Sequence, residues 1–159
     1  MLPTDLKDLL LSFNQNKVEY LVVGAYALGV HAEPRATKDL DIFIRSSEEN
    51  SKSVYHALIV FGAPMGDITS DAFRDGRTIF QIGVEPNRID ILQQIDGVSF
   101  DEAWQSRYVA EIEDGLQINF ISRDLLIRNK LSSGRLQDLA DVEKLRAFAE
   151  ATDSDTNHG

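Results

Sequence analysis

The sequence predicts one domain in which helices pack on a β-sheet, of the α/β or α+β class, and three observations carry that expectation. The 159 residues fit a single domain, and a hydrophobic share of 43% is enough to close a core without disulfides or structural metal. Apolar residues recur at helical spacing near both ends of the chain, as in Leu6, Leu9, Leu10 and Phe13 and again in Leu136, Leu139, Val142 and Leu145. Between them lie short β-rich runs bounded by Gly, Pro, Asn and Asp turns.

Each element follows from its residues. Residues 3–14 form an amphipathic helix whose leucines and Phe13 face a sheet. Residues 19–23 are a buried strand ended by Gly24, and 24–31 a short helix of small residues broken before Pro34. Residues 38–44 are the next strand. Ser46 or Ser47 then caps a helix through Glu48 and Glu49 to about Phe61, the acidic first turn suiting the positive end of the helix dipole. Asp75 and Gly76 turn into a strand over 77–84, residues 85–87 reverse the chain, and 88–92 form the partner strand with Ile89 and Ile91 inward. A short helix over 100–105 precedes a hairpin of 108–112 and 116–121 that turns at Asp114 and Gly115. Ser122 caps a helix over 124–131, Ser133 and Gly134 break it, and a final helix follows. The domain spans 1–151, and the polar tail 152–159 is expected to be disordered.

Composition narrows the functions. With no cysteine, thiol catalysis, zinc-thiolate sites and disulfides are excluded, which is compatible with a cytoplasmic location. The N-terminal stretch carries Asp5 and Asp8 and does not resemble a signal peptide, and no apolar run approaches the ~20 residues of a membrane span. A formal charge of -10 argues against broad nucleic-acid binding, which lysines and arginines drive by neutralising phosphates. A small anionic ligand would need local basic residues or metal ions.

Asp39 and Asp41 stand out because they interrupt a run that otherwise reads as a buried strand. Alternate side chains of a strand share a face, so the two carboxylates point one way, roughly 6 to 7 Å apart, while Leu40, Ile42 and Ile44 face the core. A divalent cation is the usual remedy for such like charges. Asp90 stands alone among apolar residues on a later strand, where Arg88 on the same face offers a purely structural partner. Gly24 and Gly29 have the spacing of the first two P-loop glycines, but Val30 and His31 follow where Lys and Ser or Thr are needed, so that motif is rejected.

A glycine after a strand, a short helix, then Asp39-Leu40-Asp41 on the next strand resembles the nucleotidyltransferase domain of the DNA polymerase β-like superfamily. The run from Gly24-Ala25-Tyr26-Ala27 through Pro34-Arg35-Ala36-Thr37 to Lys38-Asp39-Leu40-Asp41 is most similar to its small bacterial branch, which includes relatives among abortive-infection toxins of toxin-antitoxin systems. The stretch from Lys130 to Asp141 resembles that branch's C-terminal helices. The resemblance implies an α+β, sandwich-like fold with a mixed, mostly antiparallel sheet flanked by helices. It also implies transfer of a nucleoside monophosphate from a nucleoside triphosphate such as ATP to an acceptor, with two Mg²⁺ ions, for which Mn²⁺ can substitute.

On that resemblance Asp39, Asp41 and Asp90 hold the metals, while Gly24, Ala25, Arg35, Thr37 and Lys130 bind the nucleotide. Gly24 brings backbone N–H groups to the triphosphate, and Ala25 replaces the Gly or Ser common in the family, which removes a possible hydroxyl contact. Arg35 and Thr37 orient phosphate or acceptor, or Arg35 pairs with Glu33 or the site carboxylates. Lys130 reaches the phosphates or is a surface lysine, and His31 is structural. Arg135, Asp138, Asp141 and Lys144 recur every three residues, which suggests a salt-bridge ladder along one helix. The acceptor is a protein, tRNA or small molecule, with the acidity favouring a protein or small molecule, and a protein partner is compatible. An inactive nucleotide- or partner-binding module is the alternative, and phosphoester hydrolysis a weaker one.

Overall fold

The computed structural model describes residues 2–33, 39–84 and 87–157. Six strands, β1 (Tyr20–Val23), β2 (Asp39–Ile44), β3 (Phe80–Ile82), β4 (Arg88–Leu92), β5 (Tyr108–Glu113) and β6 (Leu116–Phe120), make one sheet in the order β3-β4-β2-β1-β6-β5. The pairs β1/β2, β3/β4 and β5/β6 are antiparallel, and β2/β4 and β1/β6 are parallel. This is the mixed, mostly antiparallel sheet expected.

Two helical layers close the sheet. Helix α1 (Thr4–Gln15) buries Leu6, Leu9, Leu10 and Phe13 completely, each worth about 1.5–3 kcal/mol of apolar transfer. Phe13 meets Tyr20 edge-on at 5.7 Å. Helix α3 (Glu48–Phe61) lies beside α1, where the Ser12 hydroxyl donates to the Ala57 carbonyl at 2.8 Å. Ser47 is its cap, accepting from the Asn50 N–H at 3.1 Å, and Asn50 is buried with its side chain bonded to Glu19 and Arg45 backbone. The opposite face carries α2 (Gly24–His31), α4 (Phe100–Gln105), α5 (Arg123–Ser133) and α6 (Leu136–Asn157). There Phe43 packs edge-on against Phe100 at 5.1 Å.

Three elements differ from expectation. The strand anticipated over 77–84 is only Phe80–Ile82, because the Asp75 carboxylate accepts from the Arg77 and Thr78 N–H groups, both at 2.8 Å, and holds them in a turn. Gly83, at φ +80°, ends the strand on the other side. A single 3₁₀ turn, Ser70–Phe73, was not anticipated; it seats Phe73 against Phe80 at 5.4 Å. Helix α6 continues to Asn157, past the boundary expected at 151, as extension of an existing helix needs no new nucleus. No helix among the described residues is long and apolar enough to cross a membrane.

Candidate active site

The site forms where β1 ends and β2 and β4 begin. Because β2 and β4 are parallel with Asp39 beside Arg88 and Asp41 beside Asp90, the alternation of each strand puts all four side chains on one face. Leu40, Ile42, Ile89 and Ile91 alternate to the other face, where their burial under α1 and α3 fixes the register. A slip of one residue would exchange the carboxylates for the core.

Gly24 is the third wall. Val23 pairs with Asp41, so the residue after it stands against that carboxylate. Gly24 has φ +68°, and a Cβ built on it would overlap the Asp41 carboxyl group. Glycine is therefore required by backbone conformation and by close approach. It opens α2, whose N-cap position, Val23, makes no side-chain cap hydrogen bond. Ala25 follows, half-buried, in that turn.

Burial first, then the charges of Asp90 and Asp39, push Asp41 up to about 6, against the opposing pull of Arg88 and Lys130. Asp90 is 8% exposed. Among the described residues a forked guanidinium spans the cluster: Arg88 donates from Nη2 to Asp39 Oδ2 at 3.0 Å, and from Nε and Nη2 to Asp90 Oδ1 and Oδ2 at 3.0 and 3.2 Å. Tyr26 on α2 is close enough that its phenol is raised by burial and by the charge of Asp39.

These oxygens suit a divalent cation chemically, since a hard cation would offset the charges of Asp90 and Asp39 that push Asp41 up. Among the described residues no three His, Asp or Glu side chains already stand as a metal cluster.

Lys130 is not the surface lysine considered from sequence. It is 5% exposed and bonds Asp138 at 3.3 Å and Asp141 at 2.9 Å, within electrostatic reach of Asp41. Of the expected ladder, Arg135 pairs with Asp138 at 2.9 Å, while Asp138 and Asp141 also reach off their helix to Lys130 on α5. Burial acts to raise Asp138, but hydrogen bonds from Ser133 and Arg135 and the charge of Lys130 outweigh it and hold the carboxyl low. His31 is structural, as expected: its Nε2 bonds the Ile121 carbonyl at 2.7 Å, its ring packs on Tyr108 at 5.2 Å, and burial lowers its pKa. Arg35 and Thr37 lie outside the described residues.

Sequence reasoning placed Arg88 only as a partner for Asp90. Its bond to Asp39 depends on the parallel register of strands far apart in sequence, and no spacing shows that. The available signal was an arginine two residues before Asp90 on one strand face. Gln81, opposite Asp90 on β3, shares this face and was also missed.

The family profile described as "Nucleotidyltransferase of unknown function (DUF6036)" matches residues 2–156. No curated protein matches the sequence. Among solved structures, the chain is similar to TM1012 of Thermotoga maritima, provisionally assigned as a nucleotidyltransferase, with a TM-score of 0.58, 16% identity, and coverage of 92% of this chain and 91% of that one. It is also similar to ANT(2")-Ia, determined in complex with adenylyl-2"-tobramycin, with a TM-score of 0.53, 11% identity, and coverage of 95% and 96%. At these identities the likeness is one of fold.

Proposed function

The chain belongs to this family of nucleotidyltransferases, and from that premise we propose that Asp39, Asp41 and Asp90 serve transfer of a nucleoside monophosphate from a nucleoside triphosphate to a hydroxyl-bearing acceptor. The observation that carries the proposal is the convergence of the three aspartates on one sheet face beside the uncapped start of α2. In the reaction an acceptor oxygen bonds the α-phosphorus in line, the bond to pyrophosphate breaks, and the acceptor's proton leaves to a site carboxylate or to water. A bound divalent cation, Mg²⁺ or Mn²⁺, supplies charge neutralisation on the phosphates and activation of the attacking oxygen.

The residues divide the remaining work. Asp39 and Asp41 face the triphosphate, and Asp90 stands toward the attacking oxygen. The N–H groups of Gly24 and Ala25 receive phosphate oxygens, and Gly24 keeps that approach open. Lys130 acts from behind: its buried positive charge favours the ionised form of Asp41 while Asp138 and Asp141 hold it in place. Arg35 and Thr37 remain candidates for the acceptor side.

The charge of -10 favours a protein or small-molecule acceptor over nucleic acid, and a polycation would be drawn to this surface. The fold neighbour ANT(2")-Ia was determined with adenylyl-2"-tobramycin, which makes tobramycin the first small-molecule acceptor to try. A second reading, a binding module without transfer, is favoured by one observation, the closed Arg88 fork. Incubation with triphosphate labelled at the α-phosphate, Mg²⁺ and candidate acceptors or cell extract separates the readings. Label in an acceptor with release of pyrophosphate supports transfer; label in free monophosphate indicates hydrolysis; bound but unchanged triphosphate supports the binding module.

A further inference from the structure

Gln81 meets the three aspartates from the terminal strand of the sheet. In β3 Phe80 and Ile82 pair with Ile91 and Ile89 on the core face, whereas Gln81 between them pairs with Asp90 on the other. Asp90 in turn lies beside Asp41, and Asp41 beside Val23, the residue before Gly24. Gln81, Asp90, Asp41 and the start of α2 thus form one row across the sheet, about three strand spacings or roughly 14 Å long. Gln81 is exposed, and among the described residues its amide has no hydrogen-bond partner. Opposite residues of an antiparallel pair have their Cβ atoms about 5 Å apart, so this amide and the Asp90 carboxylate can hold neighbouring atoms of one molecule. Ile79, just before β3 and 57% exposed, borders a cleft of about 290 Å³ with Gln94 and Asp96, which leaves room for that molecule's body.

In-line displacement puts the attacking oxygen and the departing pyrophosphate on opposite sides of the α-phosphorus. With the phosphates received at α2, attack comes from the Asp90 end of the row, and the acceptor lies over β3. We propose that Gln81 and Asp90 together bind a vicinal diol, the reacting hydroxyl at Asp90 and its neighbour at Gln81. The diol is the acceptor of the transfer reading above, on which this rests. An uncharged amide that donates and accepts at once matches a hydroxyl, which does the same, whereas a charged substituent would call for a charged partner at this position. In the step one diol oxygen bonds the α-phosphorus, the bond to pyrophosphate breaks, and the proton passes to a site carboxylate or to water. The second hydroxyl is not modified and orients the first. Such a diol occurs on a free sugar or polyol and on the terminal ribose of an RNA.

Periodate, which cleaves vicinal diols, tests the acceptor class before any acceptor is identified. Cell extract is treated with periodate, quenched with sulfite, and compared with untreated extract as acceptor for each of the common α-labelled triphosphates. Treated extract is expected to lose label incorporation, and label that survives the treatment would overturn the diol. In dilute untreated extract, where the rate follows kcat/KM for the acceptor, Gln81→Leu is expected to be at least about fivefold slower than wild type. Gln81→Asn, which keeps a shorter amide, is expected to fall between the two, and it carries the test if Gln81→Leu does not fold. Triphosphate affinity, followed by calorimetry, is expected to change by less than about twofold, with circular dichroism confirming the fold of each. Equal rates for wild type and both variants would return Gln81 to a solvated edge residue, and affinity falling in step with rate would assign it to the nucleotide. Either result overturns the role of Gln81 and leaves transfer standing. Label in a small solute marks a free polyol and label released by ribonuclease an RNA terminus, and both support the diol. No label in any untreated mixture would overturn transfer and the diol together.

Discussion

Asp41 is ionised at neutral pH against its surroundings. Its folded pKa of about 6 lies above the ordinary value of 3.8, so the native state holds a proton that the unfolded chain gives up earlier. The stability contributed by that proton is full below about pH 4 and lost as pH rises through 6, to the extent of roughly 2 to 3 kcal/mol. Asp41→Asn, which cannot ionise, is expected to unfold at higher urea than wild type at pH 7.5 in the presence of a chelator, and to lose most of that advantage at pH 4.5. Equal midpoints for the two proteins at pH 7.5 would contradict the crowding of Asp41 by Asp39 and Asp90. At this scale the sequence was informative where chemistry is local: two aspartates at i and i+2 among apolar residues announce their shared face. It was silent on Arg88 and Lys130. The partners of both are set by tertiary placement, Asp39 by the β2/β4 register and Asp138 and Asp141 by the angle between α5 and α6.

Helices α5 and α6 are joined by a buried ion cluster. Lys130 and Asp141, with side chains 6% and 0% exposed, pair at 2.9 Å, and Lys130 also meets Asp138 at 3.3 Å. Lys130→Ala therefore leaves buried negative charge uncompensated and is expected to cost about 3–5 kcal/mol, unlike loss of a surface lysine. Lys130→Met combined with Asp138→Asn and Asp141→Asn should recover much of that loss. Thermal melting of the two variants checks both statements, and a Lys130→Ala melting point equal to that of wild type would refute them. The same contrast explains which elements were legible. Helices α1, α3 and α5 follow from apolar spacing and from caps at Ser47 and Ser122 that act within one turn. The extent of β3 was not legible, because the Asp75 side chain competes for the very N–H groups that a longer strand would have used. The strand order depends on crossovers between segments far apart in sequence, for which only the family resemblance offered guidance.

Over the whole molecule, a chain of net charge -10 that binds a triphosphate must gather its positive charge locally. Mg²⁺ and nucleotide together are therefore expected to raise the melting temperature more than the sum of their separate effects, equivalent to about 2.7 kcal/mol at a hundred times the apparent Kd. Asp39→Asn with Asp41→Asn should remove the shift and leave the fold intact; a full shift in that double variant would dissociate the carboxylates from metal and nucleotide. The central claim, that three aspartates brought together on one face of β2 and β4 perform transfer, is tested most directly by the rate of α-phosphate label transfer in Asp90→Asn against wild type. Asp90→Asn is expected to retain Mg²⁺-dependent nucleotide binding and to lose transfer by at least about a hundredfold, roughly 2.7 kcal/mol of transition-state stabilisation. Transfer by Asp90→Asn at the wild-type rate would contradict the three-carboxylate site and leave Asp90 as no more than the partner of Arg88.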